Sequence, residues 1–283
     1  MQANRTIHLN NGLELPLIGF GTYLEEQRDP AIIKNAINAG YRYFDTASAY
    51  GTEDILGQAL LRSDIPREQF FLASKVWRSE MGYNETLNAF DNSLKRLETD
   101  YLDLYLIHWP RRNTDDTEWK KRLKDTWLAM EKLYKDEKVK AIGVCNCLPH
   151  HLEAFIHEAQ IIPAVNQIEL HVGYMQTETV RYCREHDIAL QAWSPLARRK
   201  LQEETLITET AERYGVSAQK LLLAYLVNQG ISVLPRTSKQ ERMKANMDIF
   251  NLEITDEDMS YLSCLPQMGW SGEHPDYPCQ WWG

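Results

Sequence analysis

A recurring unit constrains this chain more than any other feature. A short apolar run, rich in β-branched and aromatic residues, is repeatedly followed by a longer stretch with apolar residues at helical spacing. Eight strand-like runs stand in order at 17–21, 41–45, 70–76, 102–108, 141–146, 164–170, 189–193 and 231–234. Helical patterns lie at 85–98, where Leu87, Phe90, Leu94 and Leu97 fall on one face, and at 125–137, where Trp127, Met130, Leu133 and Tyr134 do. Others follow at 177–186, 206–214, 218–227 and 239–247. Such alternation predicts parallel strands joined by right-handed crossovers. Eight strands favour closure over an open sheet, so the expected fold is α/β, a (β/α)8 TIM barrel, with one extra helix inserted before the last strand.

The chain has 283 residues. Barrels of roughly 250 residues run as one domain, so 1–283 reads as a single unit. Asn10-Asn11-Gly12 between 6–9 and 13–15 is a hairpin signal ahead of the repeats, and the hairpin is expected to plug one end of the barrel. No Gly-x-Gly-x-x-Gly follows any strand, since Gly19-Phe20-Gly21 is only a fragment, and this disfavours a doubly wound nucleotide fold. The tail 268–283 holds Trp270, Tyr277, Trp281 and Trp282 among prolines and glycines. That aromatic density predicts a tail folded over the barrel rim that shapes specificity; packing on the barrel flank is the alternative. The loops 111–124 and 197–205 are short and polar, which predicts a fairly open pocket.

A formal net charge of −9 disfavours nucleic acid and anionic membranes as partners, yet allows a local basic pocket for a phosphorylated small molecule. No apolar run approaches the roughly 18 residues of a membrane helix, and Met1-Gln2-Ala3-Asn4-Arg5 opens no secretion core. The cysteines, Cys145, Cys147, Cys183, Cys264 and Cys279, are odd in number and lack zinc-type spacing, as suits a reducing cytoplasm. Cys145 and Cys147 stand two apart and so should share one strand face as packing residues. A cytoplasmic monomer is expected.

In such a barrel, reactive groups sit where strands end. The second strand ends at Asp45, with Tyr50 five residues on; the third carries Lys75; the fourth ends at His108. A carbonyl reduction needs a proton for the developing alkoxide, and a phenol with an ordinary pKa of about 10 is a poor acid near neutrality. An ammonium at Lys75, held by Asp45, would lower the Tyr50 pKa, and His108 could hydrogen-bond the substrate oxygen or relay a proton. Singly, each residue has a plainer account: a structural ion pair, a loop tyrosine, a core histidine. Together, in order on consecutive strands, they favour the chemical reading.

At this point the sequence resembles the aldo-keto reductase family, in its short-loop, prokaryotic-type form, from about Ile7 to Cys264. The matching stretches are 17–22 (LIGFGT), 43–51 (YFDTASAYG), 73–77 (ASKVW), 103–110 (DLYLIHWP), 140–146 (KAIGVCN), 166–171 (NQIELH), 193–196 (WSPL) and 235–246 (PRTSKQERMKAN). The resemblance implies an oxidoreductase that transfers hydride from NADPH to an aldehyde or ketone. It implies a tetrad with Tyr50 as proton donor, Lys75 and Asp45 tuning it, and His108 orienting the carbonyl. It also implies an NADP(H) site at the barrel mouth: Gly21 and Thr22 beside it, Cys145, Asn146 and Gln167 around the nicotinamide amide, and Trp193 stacked on the ring. Ser194 and Leu196 would line it further, with Arg236, Thr237, Ser238, Arg242 and Asn246 around the adenosine phosphate. Two arginines favour NADP(H) over NAD(H). Tyr23, Trp77 and Trp109, with His108, would wall the substrate pocket.

Some positions depart from the family pattern: Cys145 replaces a common serine, Trp193 a common tyrosine, Arg236 a common lysine, and Val172 the proline that often follows the histidine here numbered His171. A thiol is a weak donor, so one amide contact is expected to be weakened or replaced. Ser238 with Glu241 also reads as a helix capping box. His150, His151 and His157 follow Pro149 at a helix start without a carboxylate cluster, so no metal site is expected. Three rival functions remain at this stage: a Schiff-base aldolase through Lys75, a metal-dependent barrel hydrolase, and an NADPH sensor without turnover.

Overall fold

The structure, a computed structural model, describes residues 5–23 and 29–278. The segment before Arg5, and Cys279, Trp281 and Trp282 of the tail, lie outside the described residues.

Strands β1 (Thr6–His8) and β2 (Glu14–Pro16) form an antiparallel hairpin. Eight parallel strands follow: β3 (Phe20–Gly21), β4 (Tyr43–Asp45), β5 (Phe71–Val76), β6 (Leu104–Ile107), β7 (Ile142–Cys145), β8 (Val165–Glu169), β9 (Ala189–Trp193) and β10 (Ser232–Leu234). They pair in chain order. The ring closes where Ile18 bridges Val233, with Gly19 N donating to Val233 O at 2.9 Å and Val233 N to Leu17 O at 2.9 Å. The eight-fold barrel expected from the alternation is therefore present.

Between the strands lie α1 (Pro30–Asn38), α2 (Glu53–Leu61), α3 (Tyr83–Leu97), α4 (Trp119–Lys135), α5 (Pro149–Glu153), α6 (Thr177–Glu185), α7 (Thr205–Arg213) and α8 (Ala218–Val227), with α9 (Gln240–Met247) and α10 (Asp256–Ser263) after the last strand. Helix α1 starts on Pro30 behind Asp29, whose carboxylate accepts from Ala31 N at 2.9 Å. The helices α7 and α8 both separate β9 from β10, which is the expected insertion. Among the described residues no helix is long and apolar enough to cross a membrane.

Side chains alternate across the sheet. Along β5, Phe71 and Ala73 face the barrel interior, while Leu72 and Val76 face the helices. The interior core also takes in Tyr43, Leu104, Leu106, Cys145 and Val165, and Leu9 and Leu15 of the hairpin join it. Asn10 Nδ2 donates to Pro163 O and Asp187 O, each at 3.1 Å, and Asn11 Nδ2 to Lys140 O at 2.8 Å. The hairpin thus sits at the N-terminal ends of β7, β8 and β9, opposite the ends that carry the polar cluster.

Two local expectations need correction. Cys145 belongs to the interior core and Cys147 to the outer one. Asn146 between them has φ 59°, in the left-handed region, so the two-residue period breaks there. Ser238 does not cap α9. The helix begins one residue later behind Lys239, whose amide donates to Thr237 Oγ1 at 3.1 Å.

Candidate active site

The inward-facing parity of β4, β5 and β6 brings Asp45, Lys75 and His108 to the C-terminal mouth of the barrel, around a cavity of about 430 Å³. Tyr50 comes from a 3-10 turn, Ser48–Tyr50, that follows β4. Glu80 fixes that turn: its Oε2 accepts from Ser48 Oγ at 2.6 Å and from Trp77 N at 3.0 Å, tying the tyrosine turn to the loop after β5.

Lys75 is sealed from solvent, and its Nζ donates to Asp45 Oδ1 at 2.6 Å and Thr46 O at 2.9 Å. Tyr50 Oη lies 3.5 Å from Lys75 Nζ and 3.4 Å from His108 Nε2. The other oxygen of Asp45 accepts from Gln167 Nε2 at 2.9 Å, and Gln167 Nε2 also reaches Gln191 Oε1 at 2.6 Å. The four residues picked from sequence therefore converge, and an interior amide network carries their carboxylate from behind.

Burial works against charge on Lys75, but the neighbouring Asp45 carries its pKa above the ordinary lysine range. Burial lowers His108 well below the usual histidine range, and the charges of Lys75 and Arg78 add to this, so its imidazole is neutral. Tyr50 departs from expectation. Lys75 does pull the phenol down, but burial pushes it up harder and the Asp45 charge adds to the rise, so the net shift is upward. Tyr50 is therefore a proton-bearing phenol. Lys75, held as an ammonium by Asp45, is not the free amine a Schiff base requires.

The cavity is also lined by Tyr23, Trp77 and Trp109. Ring centroids lie 5.0 Å apart for Tyr23–Tyr50, 5.4 Å for Tyr50–His108 and 4.9 Å for Trp77–His108, giving an aromatic wall beside the phenol. On the other side stand Gly21, Cys145, Asn146, Gln167, Trp193, Ser194 and Leu196. Asn146 Oδ1 accepts from Trp193 Nε1 at 2.8 Å, and Asn146 Nδ2 donates to His108 O at 3.0 Å. Cys145 Sγ is 3.3 Å from Asn146 Nδ2, and burial raises its pKa, so it is a neutral thiol. Of the remaining candidates, Arg236 lines the cavity and lies over the Tyr23 ring at 5.5 Å. Thr22 is buried behind the wall, 3.1 Å from Thr52 Oγ1. Thr237, Ser238, Arg242 and Asn246 lie outside the cavity; Asn246 is buried and accepts from Gln219 Nε2 at 2.7 Å.

Several lining residues had no sequence signal of their own. Arg198 and Arg199 line the cavity from a turn in which Ala197, Arg198 and Arg199 have φ of 48°, 50° and 71°. Three consecutive side-chain-bearing residues in the left-handed region are strained, and no spacing rule predicts them. Ala49, Pro195, Leu234 and Pro235 also line it; Ala49, Pro195 and Pro235 flank picked residues, and Leu234 ends β10. Glu273 comes from the tail. Among the described residues, Arg198, Arg236 and Arg242 form no ion pair, and Arg199 has only Gln202 Oε1 at 3.3 Å. Guanidiniums left without carboxylates in a chain of net charge −9 fit an anionic ligand. With the flat Trp193 face and the amides of Asn146 and Gln167, the donor set fits a phosphorylated nicotinamide nucleotide.

The tail also alters the expectation for His150 and His151. Asp276 Oδ1 lies 3.0 Å from each Nε2, with Arg111 Nη1 at 3.4 Å. His151 Nδ1 accepts from Leu148 N at 3.1 Å, which assigns its proton to Nε2 and makes it a donor to Asp276. Burial takes the His151 pKa down to about 3, so it stays neutral. The three residues, spaced for a cation, are thus joined as a hydrogen-bonded tether for the tail.

Comparison with known proteins agrees with this geometry. The family model described as Aldo/keto reductase family matches residues 17–265. Glyoxal reductase of Bacillus subtilis is 42% identical over 273 residues, covering 96% of each chain. An aldo/keto reductase from Brucella melitensis superposes with a TM-score of 0.85 at 40% identity, over 91% of this chain and 98% of the other. An aldo-keto reductase crystallised in complex with NADPH gives a TM-score of 0.85 at 29% identity, over 92% of this chain and 88% of the other.

Proposed function

The chain belongs to the aldo/keto reductase family, and from that premise we propose that it is an NADP(H)-dependent reductase of aldehydes or ketones. The observation that carries this reading is the meeting of Tyr50 Oη with Lys75 Nζ and His108 Nε2, at 3.5 and 3.4 Å, on the floor of an aromatic cavity.

Bound NADPH supplies a hydride for the carbonyl carbon. The protein's own residues do the rest. Tyr50 protonates the carbonyl oxygen as negative charge develops there. Lys75 stabilises the phenolate that Tyr50 leaves, and Asp45 keeps Lys75 charged and aimed. The neutral His108 donates one hydrogen bond to the same oxygen and fixes the direction of the carbonyl. Trp193 would offer its face to the nicotinamide, and Asn146 and Gln167, with Cys145 beside them, would hold its amide. Gly21, Thr22, Ser194 and Leu196 frame that half of the site.

Arg236 and Arg242, with Thr237, Ser238 and Asn246, take the adenosine phosphate; Arg198 and Arg199 add positive charge at the mouth. Tyr23, Trp77 and Trp109 hold the substrate's apolar part and keep water from the reacting oxygen. The chain acts on small carbonyl compounds as a cytoplasmic monomer.

The test is loss of NADPH absorbance across a panel of aldehydes and ketones, with NADH as control. Turnover of several members with a preference for NADPH is expected. Absence of NADPH oxidation across the whole panel would overturn the reading in favour of a binding protein without turnover.

A further inference from the structure

The tail segment Ser271–Asp276 is pinned at both ends. Glu169, at the end of β8, accepts from Ser271 N at 2.9 Å through Oε1 and from Ser271 Oγ at 2.7 Å through Oε2. Asp276 is held by His150 and His151, each at 3.0 Å, and by Arg111 at 3.4 Å. Between these anchors stands Glu273. Its amide donates to Ser271 Oγ at 3.1 Å, and its carbonyl accepts from Trp270 Nε1 at 3.3 Å, so its backbone is fixed too.

The Glu273 side chain lines the same cavity as Tyr50 and His108. Its Oε2 is shut off from solvent, yet among the described residues it accepts no hydrogen bond. A shielded carboxylate oxygen without a donor is costly, and such a group marks a place for a missing partner. The anchors run from the end of β8 to the loops after β7 and β6, while Trp270 just before them is tied to the turn after β9, its carbonyl accepting from Lys200 Nζ at 2.9 Å. The cavity arginines, Arg198, Arg199 and Arg236, come from beyond β9 and β10 and supply its positive charge. A ligand group that satisfies Glu273 must donate a hydrogen bond, and one that carries negative charge is repelled.

We infer that Glu273 is a specificity-determining residue that selects uncharged, hydroxylated carbonyl substrates, its carboxylate accepting from a substrate hydroxyl and excluding substrate carboxylates. This deepens the proposed carbonyl reduction and rests on it. Satisfying this carboxylate favours a hydroxylated substrate over its deoxy analogue by about tenfold, the scale of one hydrogen bond to a charged group.

The experiment measures kcat/KM with NADPH for glyceraldehyde, propanal and glyoxylate, in the wild type, Glu273→Gln and Glu273→Ala. The wild type should prefer glyceraldehyde to propanal and discriminate against glyoxylate. Glu273→Ala should lower the glyceraldehyde-to-propanal ratio about tenfold. Glu273→Gln keeps an acceptor and loses the charge, so it should hold that ratio within about threefold while raising glyoxylate relative to propanal about tenfold. Turnover of propanal by all three proteins with ratios that Glu273→Ala leaves unchanged would overturn the inference alone. No turnover of any aldehyde by the wild type would overturn the proposed reduction with it.

Discussion

At Tyr50 two opposing influences meet: burial, which favours the neutral phenol, and the Lys75 ammonium, which favours the phenolate. The first wins in the structure, which suits an acid that must keep its proton until an alkoxide forms. His108 lies on the other side of neutrality, its pKa lowered by burial first and then by Lys75 and Arg78. Tyr50 and Lys75 shift up and His108 shifts down, so none of the three changes charge around neutral pH. The kcat for carbonyl reduction is therefore expected to be flat from about pH 6 to 9, falling only as Tyr50 loses its proton above that window. A pH–rate profile checks this; a limb near pH 6.5 would mean that His108 titrates in the working enzyme. The tetrad could be picked from sequence because each member stands at or just after a strand end. The sign of the net shift on Tyr50 could not, because burial of a side chain in a loop has no sequence signature.

Strands and helices set the distances on which those residues depend. The inward parity of β4, β5 and β6 was legible as alternation, and so was the closed ring. Strand ends were read as longer than they are, since an apolar residue outside the hydrogen-bonded ladder looks like one inside it. Helices α1, α2 and α10 were missed: α1 and α2 are only nine residues long, although α1 buries Ile32, Ile33, Ala36 and Ile37 on one face, and α10 has few apolar repeats and relies on its Thr255 cap. At Asn146 a left-handed residue separates two cysteines that the period had put on one face. Helix packing gives a sharper test. Gly57 in α2 faces the end of α3 so closely that a Cβ there would lie 2.6 Å from the Leu97 carbonyl carbon and oxygen. Gly57→Ala gains about 0.5–1 kcal/mol of helix propensity. The clash is with backbone that cannot swing aside, and overpacking of this kind costs about 1–3 kcal/mol. A net loss of stability is expected, read as a lower urea midpoint at unchanged slope. A raised midpoint would mean that α2 and α3 pack less tightly than described.

Over the whole molecule, a chain of net charge −9 repels an anionic cofactor everywhere except where basic groups gather without acidic partners. Arg236 and Arg242 were legible from their place after the last strand, whereas Arg198, Arg199 and Glu273 depend on a strained turn and on a tail whose path no periodicity encodes. Arg242→Ala is expected to raise the KM for NADPH about tenfold and that for NADH little, since a charge-assisted contact to one extra phosphate is what differs between them. Equal weakening of both would remove Arg242 from cofactor choice. The larger claim is that eight strands exist, functionally, to bring four distant side chains around one oxygen atom. Its most direct measurement is saturating turnover of an aldehyde by Tyr50→Phe, alongside its NADPH dissociation constant from fluorescence titration. The account predicts turnover lower by about 10²–10⁴-fold with NADPH affinity nearly unchanged; turnover close to that of the unaltered protein would contradict it.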